Sequence, residues 1–207
     1  MNIADIKTRL KDAEPKLIEI RKNSAVLLPL IETEEGLSIL FEKRTSTISH
    51  AGETCFPGGA VDSGETPKEA VVREVSEEIG LKENEDYELL GQYGKFALIT
   101  GMCVNIFVGV LKPEALSKIK INPGEVAEVF TIPVDFLLKE ETVSYDYKLI
   151  QAIDENFPRE LIGLPEDYRL PSGKVHMPVW AYKGHVLFGM TARMVKAFLK
   201  DFTNLQN

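Results

Sequence analysis

The chain has 207 residues, of which 44% are hydrophobic and 27% charged, a composition typical of a globular protein with one substantial domain. Its formal net charge of −8 argues against a nucleic-acid partner, which requires a basic surface. The sequence shows neither a signal peptide nor eighteen consecutive apolar residues, so we expect no membrane partner and a cytoplasmic location. Cys55 and Cys103 are expected to be reduced thiols.

In chain order, the first predicted element is an amphipathic helix near residues 3–12, assigned to an N-terminal helical extension over residues 1–22. The main domain is predicted over residues 23–207 and starts with a hairpin of strands 25–31 and 37–43. In the second strand Leu37, Ile39 and Phe41 alternate with polar residues, which is typical of a half-buried strand. The later elements are strands 88–96, 102–111 and 126–132, a short helix 133–138, strands 142–150, 175–182 and 185–188, and a helix 191–202. Strands separated by single helices predict an α/β/α sandwich around a mixed β-sheet.

A further helix is predicted between the hairpin and the strand at residue 88. Thr66 and Glu69 have the spacing of a capping box, with Pro67 at the first helical position, and Gly80 marks the end. At about 100° per residue, one arc of this helix is apolar and should pack on the core. That arc consists of Val71, Val72, Val75 and Ile79.

Acidic residues occupy the neighbouring arc of the same helix. Glu74 and Glu78 are one turn apart, Glu77 is three residues from Glu74, and Arg73 is the only base beside them. Like charges at this spacing repel by a few tenths of a kcal/mol per pair, so the cluster needs a counter-charge. Because all the candidate ligands are oxygens, Mg²⁺ or Mn²⁺ suits the cluster better than zinc.

The stretch from Gly59 to Leu81 reads G-x(5)-E-x(7)-R-E-U-x-E-E-x-G-U, where U is apolar, and every fixed position is filled. This pattern resembles the Nudix box, the signature of the Nudix hydrolases. The resemblance implies a Nudix-type α/β/α sandwich and a metal-dependent hydrolase of a nucleoside diphosphate linked to another moiety. It further implies in-line attack of water on phosphorus, with the diphosphate charge neutralised by bound cations.

The segment upstream of the box narrows the predicted substrate. Arg44, Gly52 and the run Phe56-Pro57-Gly58-Gly59 match the motif of the coenzyme A pyrophosphatases, a Nudix group. The segment between Arg44 and Gly52 is one residue shorter than in that motif, and its second arginine is missing. Residues 186–199 are similar to the closing helix of the same group. The implied products are 4′-phosphopantetheine and adenosine 3′,5′-bisphosphate.

We assign roles from these motifs. Glu74 and Glu78 are predicted metal ligands, with Glu77 as a third ligand or as the base, and the carbonyl of Gly58 is a further candidate ligand. Arg73 orients the carboxylates, and Glu65 supports the entrance of the helix or an outer metal. The expected contacts to a coenzyme A-like nucleotide come from Arg44, His50, Gly52, Gly59 and Thr100.

Outside the box, Glu125 ends a loop just before an apolar strand, and we predict it to be the base or an additional ligand, with Glu128 as its rival. His176 and His185 are expected on strand surfaces. Two alternatives stay open: a Nudix hydrolase of ADP-ribose or of a nucleoside triphosphate, and a Nudix-fold binding module without turnover. The complete box disfavours the binding module. The sequence also leaves a homodimer open.

Overall fold

The fold is taken from a computed structural model, which describes residues 2–11, 13, 16–46, 51–139, 143–165 and 167–203. The strands are β1 (Lys22–Thr33), β2 (Gly36–Arg44), β3 (Thr54–Cys55), β4 (Gly58–Ala60), β5 (Tyr87–Ala97), β6 (Met102–Leu111), β7 (Val126–Pro133), β8 (Val143–Leu149), β9 (Gly173–Tyr182) and β10 (His185–Leu187). The helices are α1 (Ile3–Lys11), α2 (Pro67–Ile79), α3 (Ala115–Lys118), α4 (Val134–Lys139), α5 (Arg159–Ile162) and α6 (Gly189–Thr203).

Among the described residues, seven strands form one mixed sheet and three form a second sheet. The large sheet has the order β3-β2-β1-β6-β5, with β4 paired to β1 and β7 paired to β2. β1 and β6 are parallel, and the hairpin of β1 and β2 is antiparallel. The small sheet has the order β10-β9-β8. The predicted fold class, an α/β architecture around a mixed sheet, is therefore confirmed.

The large sheet is covered on both faces. One face packs on α2 through Leu27 and Leu40, and the other packs on α6 through Leu28 and Phe41. The prediction of a half-buried second strand is consequently wrong. Residues 39–42 of β2 are all fully buried, whereas Leu37 at the hairpin end is 42% exposed. A strand enclosed by helices on both sides buries successive residues, so alternation is lost.

The structure extends or trims most predicted elements by one to three residues. It also adds β3, β4, α3 and α5, which are too short to give a periodic sequence pattern. Pro133 ends β7 rather than starting the following helix. α1 has no buried residue, and the division into an extension over 1–22 and a domain over 23–207 stays a prediction. None of the helices in the described part of the chain is long and apolar enough to cross a membrane.

Candidate active site

Helix α2 carries the acidic arc and has the predicted caps. The Thr66 hydroxyl accepts a hydrogen bond from the Glu69 N–H at 3.2 Å, and a Glu69 carboxylate oxygen accepts one from the Thr66 N–H at 2.8 Å. Gly80 ends the helix in the left-handed conformation, at φ 73°. Val75 and Ile79 are fully buried against the sheet. These anchors fix the rotation of α2, so the acidic arc faces β4.

Two glycines let β4 approach the acidic arc closely. The Gly58 N–H donates to Glu78 Oε2 at 2.7 Å. Gly58 has φ 145°, and a Cβ there would collide with the backbone of Ala25 in β1. A Cβ on Gly59 would collide with the carboxylate of Glu74. Glycine is therefore required at position 58, whereas a side chain at position 59 would displace the Glu74 carboxylate; the predicted roles of Gly58 and Gly59 toward a metal and a substrate stay predictions.

Glu125 completes a group of three carboxylates. Glu74, Glu78 and Glu125 each place one carboxylate oxygen so that these atoms lie within 4.8 Å of one another. The loop that carries Glu125 is tied to the end of α2, because the Asn122 N–H donates to the Glu78 carbonyl at 2.8 Å. The Asn122 amide also donates to Glu125 Oε1 at 3.3 Å. The structure thus brings Glu125 to two helix acids that precede it by 47 and 51 positions, and the oxygen donors of the three suit a hard divalent cation.

The electrostatics of this group indicate a missing counter-charge. Glu78 is 2% exposed, and burial followed by the charge of Glu42 raises its pKa to about 9. Burial also raises the pKa of Glu74, against the lowering effect of its hydrogen bond with Arg73. Carboxylates crowded in a low-dielectric site hold protons unless a cation compensates them. The cluster therefore has the properties expected of a cation site.

Arg73 connects the box acids to one another. Its guanidinium donates to both carboxylate oxygens of Glu65, at 2.9 and 3.0 Å, and to Glu74 Oε1 at 2.8 Å. It also donates to the Ala60 carbonyl at 3.0 Å and to Glu77 Oε2 at 3.2 Å. The bidentate hydrogen bonds from Arg73 lower the pKa of Glu65 and fix the segment just before α2. The side chain of Glu77 is 55% exposed and lies against Arg73, so its role as ligand or base stays a prediction.

Sequence reasoning missed Glu42, which is fully buried at the end of β2. Its Oε1 accepts a hydrogen bond from the Cys55 thiol at 3.2 Å, and its Oε2 has no hydrogen-bond partner among the described residues. Burial raises the pKa of Glu42 to about 7. Glu42 in turn adds to the raised pKa of Glu78. The available signal was an acid that directly follows the apolar run Ile39-Leu40-Phe41, but the expected alternation placed it on a solvent-facing side.

The predicted substrate residues lie near the same end of the large sheet. Arg44 ends β2, and its carbonyl accepts a hydrogen bond from the Gly52 N–H at 3.1 Å, which closes the intervening loop. Thr100 lies in the turn between β5 and β6, next to the start of β1, where Lys22 pairs with Met102. His50 falls outside the described residues. The substrate contacts of Arg44, His50, Gly52 and Thr100 stay predictions.

The remaining histidines lie on strands, as predicted. His176 Nδ1 is 2.6 Å from Asp146 Oδ1 on the exposed surface of β9. His185 stacks on Phe130, and its Nε2 lies 3.6 Å from Glu128 Oε1. Glu128, the other candidate for the role of Glu125, is therefore engaged with His185 rather than with the acidic cluster. Cys55 and Cys103 are free thiols in the structure, and burial raises the pKa of Cys55 above its usual range.

Comparison with known proteins identifies the family of the chain. Residues 21–153, which include all three carboxylates, match the family described as NUDIX domain. The chain belongs to the Nudix family. A relative, Nudix hydrolase 3 of Caenorhabditis elegans, is 40% identical over 133 residues, which are 61% of this chain and 55% of that protein. The peroxisomal coenzyme A diphosphatase ndx-8 of the same organism is 34% identical over 109 residues, 51% of this chain and 46% of that protein.

Two further similarities cover almost the whole chain. The uncharacterized Nudix hydrolase NudL of Enterobacter sp. (strain 638) is 26% identical over 202 residues, 95% of this chain and 92% of that protein. The crystal structure of a MutT/nudix family protein from Enterococcus faecalis has a TM-score of 0.51 at 15% identity, covering 99% of this chain and 70% of that one. This structural likeness supports the Nudix fold. The matched region spans only about half of the two Caenorhabditis elegans relatives.

Proposed function

We propose that the protein is a pyrophosphohydrolase that uses Mg²⁺ or Mn²⁺ to cleave the diphosphate of a nucleotide derivative, with coenzyme A or an acyl-CoA as substrate. The observation that carries the hydrolase proposal is the convergence of Glu74, Glu78 and Glu125 beside the Gly58–Gly59 backbone. The motif residues Arg44 and Gly52 and the similarity to a peroxisomal coenzyme A diphosphatase support the substrate.

The residues present fit a divalent cation. Their donors are carboxylate oxygens, which Mg²⁺ and Mn²⁺ prefer, and burial together with the neighbouring charge of Glu42 raises the pKa of Glu78, which a bound cation would counteract. When bound, the cation supplies charge neutralisation for the diphosphate oxygens and a more acidic water. We assign Glu74 and Glu78 as the ligands held on the rigid helix α2.

The other residues of the site position these groups and move the proton. Arg73 holds Glu74 in place through a 2.8 Å hydrogen bond, which keeps that carboxylate aimed at the cluster. Glu125 lies on a loop opposite the helix, within reach of the same space, and is our candidate for accepting the proton of the attacking water or for adding a ligand. The side chain of Arg44 is the proposed partner of a substrate phosphate.

The test is a hydrolysis panel with Mg²⁺ and with Mn²⁺. Coenzyme A, an acyl-CoA, ADP-ribose, a dinucleoside polyphosphate and a nucleoside triphosphate are compared by kcat/KM, with products identified by mass spectrometry. We expect coenzyme A or the acyl-CoA to give the highest value, with 4′-phosphopantetheine and adenosine 3′,5′-bisphosphate as products. A tenfold or greater preference for ADP-ribose would overturn the substrate but leave the hydrolase proposal intact.

The ADP-ribose alternative is retained because of one observation. The segment between Arg44 and Gly52 is one residue shorter than in the coenzyme A motif and lacks its second arginine. An Arg44→Ala variant tests the contact that the motif assigns to coenzyme A. If Arg44 binds a phosphate of coenzyme A, the variant raises KM for coenzyme A at least tenfold and changes kcat less. An unchanged KM would remove Arg44 from the substrate site.

A further inference from the structure

A second cavity lies away from the Nudix box, where β8 ends, β9 begins and the described residues 150–165 and 167–172 connect the two strands. Its volume is about 680 Å³, within the range of small-molecule pockets. Four basic side chains line it, together with a single acid among the described residues, Asp167. We call this cavity the basic pocket. The basic residues are Lys148, Arg159, Arg169 and Lys174.

Two of these cations face each other across paired strands. Lys148 of β8 pairs directly with Lys174 of β9 in the antiparallel register. Like charges at directly opposed positions destabilise a sheet, because their Cβ atoms are only about 5 Å apart. Within the part of the chain that the structure describes, neither lysine has an ion pair, and neither has Arg169. An unbalanced pair of this kind is a cost that a bound anion would relieve.

Among the described acids near the pocket, Asp167 makes no ion pair with Lys148, Lys174 or Arg169. On the same face, the next cross-strand pair is Asp146 and His176, and Asp146 is engaged by that histidine at 2.6 Å. The whole chain carries a formal charge of −8, so this concentration of cations runs against the overall balance. Because the protein as a whole is acidic, a local cluster of basic residues indicates a site that recognises an anion and does not follow from the overall charge.

The rest of the lining suits the base of a nucleotide. Tyr168 is 39% exposed and lies in the pocket beside Arg169, and its N–H donates to the Pro165 carbonyl at 3.1 Å. Arg159 is held at the same turn, since its guanidinium donates to that carbonyl at 3.2 Å. Arginines bind phosphate through two parallel hydrogen bonds, and an aromatic ring or guanidinium plane can stack on a purine.

We propose that the basic pocket binds a phosphate-bearing nucleotide, with the cations on its phosphates and Tyr168 against its base. The inference goes beyond the proposed hydrolase activity and does not depend on which diphosphate is cleaved. The nucleotide has two sources of the same chemistry: the phosphate-bearing adenosine end of the substrate, or a separate nucleotide that occupies the pocket on its own. The pocket chemistry is identical in both cases.

The binding test uses adenosine 3′,5′-bisphosphate as the probe in isothermal titration calorimetry, with EDTA present and at low salt. Without a cation, the acidic cluster of the Nudix box repels the probe, so binding there is suppressed. The wild-type protein is compared with Lys148→Ala/Lys174→Ala and with a matched control, Lys82→Ala/Lys139→Ala, which removes two exposed lysines elsewhere. Adenosine without phosphate is the ligand control.

We expect saturable binding to the wild type and to the control, no binding of adenosine, and at least tenfold weaker binding to the Lys148→Ala/Lys174→Ala variant. A third variant, Lys148→Glu, places an acid opposite Lys174, so it should keep or raise the melting temperature while losing the probe. This variant separates loss of binding from loss of folding. Absence of saturable binding to the wild type, or equal Kd values for all variants, overturns the proposal.

Kinetics then distinguish the two sources. The KM of the Lys148→Ala/Lys174→Ala variant is compared with that of the wild type. If it is at least fivefold higher for coenzyme A but not for dephospho-coenzyme A, the pocket binds the phosphate of the substrate. If the KM of this variant is unchanged for both substrates although the variant no longer binds the probe, the pocket binds a separate nucleotide. A wild-type protein that binds the probe but hydrolyses no diphosphate substrate contradicts the proposed function alone.

Discussion

Replacing Glu78 by glutamine should separate stability from activity. The substitution keeps the shape of the side chain and an oxygen that can accept the 2.7 Å hydrogen bond from the Gly58 N–H. It removes a ligand charge from the cluster of three carboxylates. We expect kcat to fall at least about 100-fold at saturating Mg²⁺, because cation stabilisation of the transition state is worth several kcal/mol and each tenfold is about 1.4 kcal/mol.

The same substitution should stabilise the metal-free protein. With a pKa raised to about 9, Glu78 is neutral in the fold at pH 7, whereas it is ionised in the unfolded chain. Protonating an ordinary glutamate at pH 7 costs roughly 3 kcal/mol, at about 1.4 kcal/mol per pKa unit. Glutamine avoids this cost. Allowing for relaxation of the site, we expect on the order of 2 kcal/mol, which is about 4–8 °C in Tm for a chain of this size.

The assay is thermal unfolding at pH 7 in EDTA, followed by turnover of the same preparations with Mg²⁺. Glu88→Gln, the same chemical change on the exposed face of β5, is the matched control and should alter neither quantity. A Glu78→Gln protein with near wild-type turnover would refute the ligand assignment. A lower Tm in EDTA would refute the electrostatic reasoning.

Three further predictions concern the carboxylates of the site. Glu125→Gln should raise the Mg²⁺ concentration needed for half-maximal rate at least tenfold, with rescue by excess Mn²⁺; unchanged metal dependence and kcat would remove Glu125 from the site. A raised carboxyl pKa means that the folded protein binds more protons than the unfolded chain. The Tm of the metal-free protein should therefore fall as the pH rises from about 5 to 9, and this dependence should be weaker in Glu78→Gln. An equal dependence in both proteins would contradict the raised pKa of Glu78. Glu42→Gln should move the acidic limb of the pH profile of kcat/KM to lower pH, because the charge of Glu42 raises the pKa of Glu78 more than any other neighbouring charge does. An acidic limb at the same pH in both proteins would show that the two acids are uncoupled.

Local signals made the box helix predictable. The capping box at Thr66, the proline at the first turn and Gly80 at the end all act within a few residues, so the sequence predicted the helix 67–79 and its buried arc. The predicted strand 102–111 was likewise confirmed, because ten consecutive and mostly apolar residues indicate it. Val72, which was expected on the buried arc, is only half-buried.

Features that depend on distant contacts were harder to predict. The burial of Glu42 follows from helices on both faces of β2, which no pattern within that strand reveals. The approach of Glu125 to Glu74 and Glu78 depends on the Asn122 hydrogen bond to the end of α2. The sequence suggested Glu125 from its loop position, but only the fold brings its carboxylate within 4.8 Å of the helix acids.

The most direct test of the metal-centre account is a single-turnover experiment on coenzyme A with metal-free enzyme, in which Mg²⁺ is either withheld or added. We expect 4′-phosphopantetheine and adenosine 3′,5′-bisphosphate only after Mg²⁺ is added, and at least about 100-fold slower formation of both products by Glu78→Gln under the same conditions. Equal product formation with and without Mg²⁺, or in both proteins, would contradict the assignment of Glu74, Glu78 and Glu125 as a catalytic cation site.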